Sequence, residues 1–203
     1  MHFLGIRKIK TNSIQIQNLN KMSEPKFTPY LDALTEAMKL SMEDEKTIFI
    51  GQQIVYYGNP MSKTIEGLPK ERMIETPVME ETQMGMSLGL AMSGHNVVSF
   101  YPRWDFVICA ANQLVNHLDK INIMSDGDWN PNVIIRVGKG SDVPLDPGHQ
   151  HKADYTEEFK TILKHTNVVK LDSHEKILPA YKKALKNGGI WLMVEYPQLY
   201  YEN

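Results

Sequence analysis

Short apolar runs rich in β-branched residues alternate with stretches of helical periodicity along most of this chain. That alternation leaves few architectures open. The runs TIFIGQQIV (47–55), VVSFY (97–101), NVIIRVG (132–138), NVVKLDS (167–173) and IWLMVEY (190–196) read as strands. Between them lie helical segments. Thr28 followed by Pro29 reads as a helix N-cap and first helical residue, and Leu31, Leu34, Ala37, Met38 and Met42 then fall on one face. Helix character runs from Glu80 to Met92, with Gly94 placed just beyond its end. Residues 105–120, DFVICAANQLVNHLDK, read as one helix with a buried face, and 155–164 as a short one. The helix over 174–189 ends on glycines and carries Pro179 near its first turn, whereas residues 56–73 read as a long loop. Strands alternating with helices predict a three-layer α/β/α domain with a mostly parallel central sheet. Ligands in such sheets bind outside the carboxyl ends of the strands. The loops after VVSFY and NVIIRVG, and the turn before Glu80, are therefore the places to watch.

The 203 residues suit one domain over 28–203 with an N-terminal arm or extension over 1–27. That first stretch has two short apolar patches and reads equally as a flexible arm, an edge segment, or residues ahead of a true start at Met22. Its apolar region is too short for a signal peptide. No run of apolar residues is long enough to span a membrane. A formal net charge of −2 offers nothing to neutralise a phosphate backbone, so no nucleic-acid partner is expected. The single cysteine, Cys109, precludes an internal disulfide and a multi-cysteine metal site, and its apolar surroundings suggest core packing. The expected compartment is the cytoplasm or an organellar matrix.

Three features carry possible chemistry. In ETPVMEE (75–81) a proline turn leads into a helix opening with Glu80 and Glu81. Acidic residues there complement the helix dipole whatever else they do. In FYPRWDF (100–106) the aromatics Phe100, Tyr101, Trp104 and Phe106 follow a strand, where they serve as core or as a wall for a heterocycle. In PGHQHK (147–152), His149 and His151 lie two apart in a polar loop. With Glu80 they make a conceivable zinc set, but the usual ligand spacings are missing, and no metal site is assigned. Neither a P-loop, nor a G-x-G-x-x-G turn, nor a G-x-S-x-G elbow is present.

Taken together and in order, RMIETPVMEETQMGMSLGLAMSG, DFVICAANQLVNHLDK, VIIRVGKG, GHQHK, NVVKLDS and WLMVEYPQLY resemble the transketolase-like pyrimidine-binding domain. The resemblance is nearest to the β subunit of the 2-oxoacid dehydrogenase E1 component and runs from about Tyr30 to Tyr200. It implies thiamine diphosphate as cofactor, in an enzyme that decarboxylates a 2-oxoacid and transfers the acyl group, or transfers a ketol unit from a ketose. The glutamate ending T-P-x-x-E falls at Glu80, where the resemblance implies a hydrogen bond to the pyrimidine ring nitrogen that drives proton removal from the thiazolium. Phe106 falls where an aromatic stacks on the pyrimidine, and Pro102 where a side chain lies beside the ring. His151 takes the place of a histidine acting on substrate-derived intermediates. Asn112, Gln113 and Asn116 match a D-Q-x-x-N stretch of structural and interface character.

The match has departures: Thr82 stands for a usual glycine, Asn112 for a usual aspartate, and His149 is an extra histidine. The family also binds the diphosphate and Mg²⁺ on another domain, marked by G-D-G and a downstream asparagine. Here GDW (127–129) lacks the second glycine, and the usual C-terminal domain does not follow the last strand. The expectation is a split enzyme: a diphosphate-binding, α-like partner chain holding most of the Mg²⁺ site, an α2β2-like assembly, and a small-molecule substrate. The alternative is a non-catalytic structural or regulatory subunit that kept the fold.

Overall fold

Thr28 opens the first helix, its hydroxyl accepting from the Leu31 N–H at 3.3 Å. The structure, a computed structural model, describes residues 28–56, 58–143 and 146–201. The predicted arm over 1–27 lies outside them. Helix α1 (Pro29–Ser41) leads to β1 (Thr47–Gly51) and β2 (Met73–Glu75). Next come α2 (Glu80–Met92), β3 (Asn96–Tyr101), α3 (Trp104–Cys109), α4 (Ile121–Met124) and β4 (Asn132–Gly138). The chain closes with α5 (Thr156–Ile162), β5 (Asn167–Leu171), α6 (His174–Asn187) and β6 (Ile190–Glu195).

The six strands form one sheet in the order β2-β1-β3-β4-β6-β5, every pair parallel. Successive strand residues point to opposite faces, so each strand feeds two cores. Phe49, Val98, Ile134 and Met193 meet α1 and α6 on one face. Ile50, Val97, Ile135 and Val194 meet α2, α3 and α5 on the other. The predicted α/β/α layering follows, with the central strands buried on both sides as parallel sheets require.

Several elements differ from the sequence reading, each for a local reason. The run 47–55 is strand only to Gly51, because the Glu75 carboxylate takes the N–H groups of Gln53, Ile54 (3.0 Å) and Val55 (2.8 Å) and bends the chain away. Residues 56–73 are not an open loop: a 3₁₀ turn at Pro60–Ile65 buries Met61, Ser62, Thr64 and Ile65, and the stretch ends in the edge strand β2. The single helix predicted over 105–120 is broken into α3, a π-helical turn (Gln113–His117) and a 3₁₀ turn (Leu118–Lys120). Asp119, in that 3₁₀ turn, holds the N–H groups of Lys164, His165 and Thr166, which ties the end of the run to a distant segment. Pro179 sits inside α6 rather than in its first turn. Cys109 is exposed at the end of α3, not packed in the core.

A fully buried ion pair crosses from β4 to β6. Arg136 donates to both Glu195 carboxylate oxygens (2.5 and 2.9 Å) and to the Thr64 hydroxyl (2.9 Å), and its guanidinium lies 4.7 Å from the Phe100 ring centre. Tyr200 donates to the same carboxylate.

Candidate functional site

Glu80, Pro102, Phe106 and His151 follow the carboxyl ends of β2, β3 and β4, which lie with β1 side by side in the sheet. Glu80 comes first. It is the opening residue of α2, and only 8% of its surface is exposed. One carboxylate oxygen accepts from Gln52 Nε2 at 3.1 Å. Its backbone carbonyl accepts from the Tyr101 hydroxyl at 3.2 Å, a phenol whose pKa is pushed well up by burial and, to a lesser degree, by the Glu80 charge. The turn folded around Glu75 is what brings Gln52 to Glu80.

Beneath this carboxylate runs a buried polar chain. Gln83, fully buried, accepts from the Thr76 hydroxyl (3.2 Å) and donates to the Ser99 hydroxyl (3.1 Å) and the Phe100 carbonyl (2.9 Å). Ser87 extends it, donating to the Gln83 carbonyl and meeting Ser99 at 3.0 Å. A satisfied network of this kind fixes the start of α2 against β3, and with it the direction of Glu80. Sequence reasoning did not find Gln52, Glu75 or Gln83. Their one signal is that each is polar within or beside an apolar segment, which demands a partner.

Phe106 and His151 form a second group. Their ring centres are 5.5 Å apart at 57°, a tilted aromatic pair. They line an open cleft of about 610 Å³ together with Asp105, Cys109, His149 and Tyr155. Of these lining residues, Asp105 and His151 each carry a buried atom, Oδ2 and Nδ1, without a hydrogen-bond partner. Of the other aromatics, Phe100, Tyr101 and Trp104 are core. Pro102 links the two groups: its carbonyl lies where a Cβ on Gly138 would stand (2.3 Å), so the ends of β3 and β4 close up only because that residue is glycine. Among the described residues, no hydrogen bond or ring contact joins the Glu80 side chain to Phe106 or His151.

Asn112 and Gln113 donate to Glu81 at 3.0 and 3.5 Å, so these residues brace α2 on the domain's outside and take no part in either group. Thr82 and His149 are exposed. Among the described residues, no cluster of three or more His, Cys, Asp or Glu side chains has the arrangement of a metal site.

The arrangement has known relatives. The chain is 30% identical over 118 residues to the β subunit of 2-oxoisovalerate dehydrogenase of Bacillus subtilis, a match covering 56% of this chain. It is 26% identical over 147 residues to the mitochondrial pyruvate dehydrogenase E1 β subunit of Saccharomyces cerevisiae, covering 70%. The chain is similar to the β subunits of 2-oxoacid dehydrogenase E1 components. The mitochondrial pyruvate dehydrogenase E1 β subunit of Pisum sativum extends that similarity, at 26% identity over 152 residues and 73% of this chain. The matches span 36%, 39% and 42% of these relatives' own lengths. No protein-family model matches the chain. Among solved structures, a split-gene transketolase, an inactive β4 tetramer, superposes with a TM-score of 0.61 at 18% identity, over 83% of this chain and 50% of the other. That likeness establishes a transketolase-like α/β fold. No helix among the described residues is long and apolar enough to cross a membrane.

Proposed function

We propose that this chain is the pyrimidine-binding subunit of a split thiamine-diphosphate enzyme acting on a 2-oxoacid or, second, a ketose. The supporting observation is the buried Glu80 at the start of α2, one oxygen held by Gln52 and its helix start fixed against β3 by the Gln83 network. A carboxylate so placed suits a hydrogen bond to a ring nitrogen, and partial exclusion of water strengthens such a bond. The residues suit the cofactor's ring: a carboxylate in Glu80, the half-buried Phe106 ring, and Pro102 four positions before it.

When bound, thiamine diphosphate supplies the electron sink for cleavage next to a carbonyl. Glu80 then holds a proton at the pyrimidine nitrogen and Gln52 orients its carboxylate. Phe106 gives a flat apolar wall, and His151 holds or delivers a proton where substrate stands. None of these side chains suits a diphosphate or Mg²⁺, so those fall to an α-like partner chain in an α2β2-like assembly. Val78 and Met79, beside Glu80, are 81% and 41% exposed, apolar surface that a partner would cover.

The test is turnover of the complex purified from its native source, against the same complex carrying Glu80→Ala. A placed acid–base group contributes about 10²–10⁴-fold, so the variant is expected to lose at least two orders of magnitude while the circular dichroism spectrum stays the same. A variant keeping more than roughly a tenth of the rate would remove Glu80 from the mechanism and favour a subunit that only kept the fold.

A further inference from the structure

His151 is carried by a segment that is largely bonded to itself. Its neck is closed by the Gly140 N–H on the Ala153 carbonyl (3.0 Å) and by the Lys139–Asp154 ion pair (3.3 Å). Gly140 is packed so tightly on the Lys152 backbone (2.0 Å from a notional Cβ) that no side chain fits there. Inside, Lys152 reaches both Asp142 (2.5 Å) and Asp146 (2.8 Å), Asp146 accepts from the Gly148 N–H (2.8 Å), and the His151 N–H returns to the Gly148 carbonyl (3.2 Å). These bonds shape the turn but do not place it on the domain.

Placement comes from elsewhere. Arg103, just before α3, donates through Nη1 to the His151 carbonyl at 3.0 Å across 48 positions of sequence. Among the described residues, this is the only hydrogen bond that the 147–152 turn receives from outside its own loop. No carboxylate among them pairs with Arg103, so its charge is directed at that carbonyl alone. Its backbone follows Pro102, which is wedged against Gly138, so the guanidinium starts from a fixed point of the sheet. Phe106, one turn on, then meets the His151 ring. One helix start thus holds both the backbone and the ring of the same histidine.

We propose that Arg103 is the positioning residue for His151: it sets where the imidazole stands in the cleft while touching no reactant itself. The functional half of this statement rests on the reading of His151 given above. The geometric half does not. A displacement of about 1 Å at a reacting group costs on the order of 10²-fold in rate, which sets the size of the effect.

The experiment has two arms. In the first, the full chain is labelled at the histidine Cε1 positions, and the His151 signal is assigned among the seven histidines with His151→Gln. Arg103→Ala is expected to move the His151 signal away from its Phe106-shifted position and leave the signals of the histidines outside the 147–152 turn in place. An unmoved His151 signal overturns the proposal. In the second arm, Arg103→Ala, His151→Ala and the double variant are compared for turnover in the complex with the partner chain. If Arg103 acts through His151, the double variant is no slower than His151→Ala alone, whereas losses that multiply overturn the proposal. Full activity in His151→Ala, with the signal still displaced in Arg103→Ala, would instead discard the role given to His151 and leave the positioning intact.

Discussion

A charge inside a central strand is the residue-scale fact with the widest consequences. Arg136 and Glu195 are both fully buried, and each is satisfied by the other together with Thr64 and Tyr200. Desolvation is the largest single influence and works against the guanidinium, but the Glu195 charge, its hydrogen bonds and the nearby Tyr181 and Tyr200 together outweigh it and keep Arg136 protonated well beyond the ordinary arginine range. Breaking such a pair leaves one charge stranded, a loss of about 3–5 kcal/mol, while replacing both partners with apolar groups of similar size is often nearly neutral. Arg136→Met is therefore expected to lower unfolding free energy by about that amount in urea titration, and Arg136→Met with Glu195→Leu to recover most of it. If the double variant is no better than the single, the pair is needed for shape rather than for charge balance. Such a pair was half legible. An arginine within NVIIRVG must find a buried partner, but which acidic residue answers it depends on β6 lying next to β4, 59 residues away. Glu80 was legible for the opposite reason: its turn, its helix start and its motif are all local in sequence.

Elements were predicted well where one periodicity ran uninterrupted. The helix Glu80–Met92 and the strand Asn132–Gly138 have the bounds that their sequences suggest. The misses lie where a distant side chain seizes backbone groups, as Glu75 does beyond β1. Asp119 is a second such anchor. Only 2% exposed, it accepts from the N–H groups of Lys164, His165 and Thr166 (3.0, 3.0 and 2.8 Å) and from the Thr166 hydroxyl (2.7 Å), tying the broken helix to the entry of β5. Burial raises its pKa, but these four bonds together outweigh burial and hold it below the usual carboxylate range. A depressed folded value means stability that is complete above the unfolded pKa of about 3.9 and is lost as pH falls through the folded one. Asp119→Asn is expected to cost about 1–3 kcal/mol at pH 7. That deficit should shrink below roughly pH 4, as wild type gives up the same charge. Chemical unfolding at pH 7, 5 and 3 checks this, and a deficit that stays constant over the range would assign the loss to geometry alone.

For the whole molecule, the parallel sheet gathers its chemistry on one rim. Glu80, Pro102, Phe106 and His151 come from segments following three different strands, and only the strand order puts them along one rim. The same rim is unfinished by the logic of the proposed reaction. Its groups address a ring and a substrate, while the cleft beside them stays open, at about 610 Å³. If this chain holds only the pyrimidine end of thiamine diphosphate, the interactions available to it are one charge-assisted hydrogen bond and one ring face. Those contacts must offset the ordering of a flexible ligand. The charged diphosphate would contribute its share only on the partner. The chain alone is therefore expected to lose the cofactor on gel filtration and to bind thiamine and thiamine diphosphate almost equally in titration calorimetry. Adding the α-like chain should bring retained cofactor and a strong preference for the diphosphate form. A chain that, by itself, prefers thiamine diphosphate over thiamine by more than about tenfold, or 1.4 kcal/mol, would place a diphosphate grip within these residues. The split-enzyme reading would then give way to one in which this chain binds the whole cofactor.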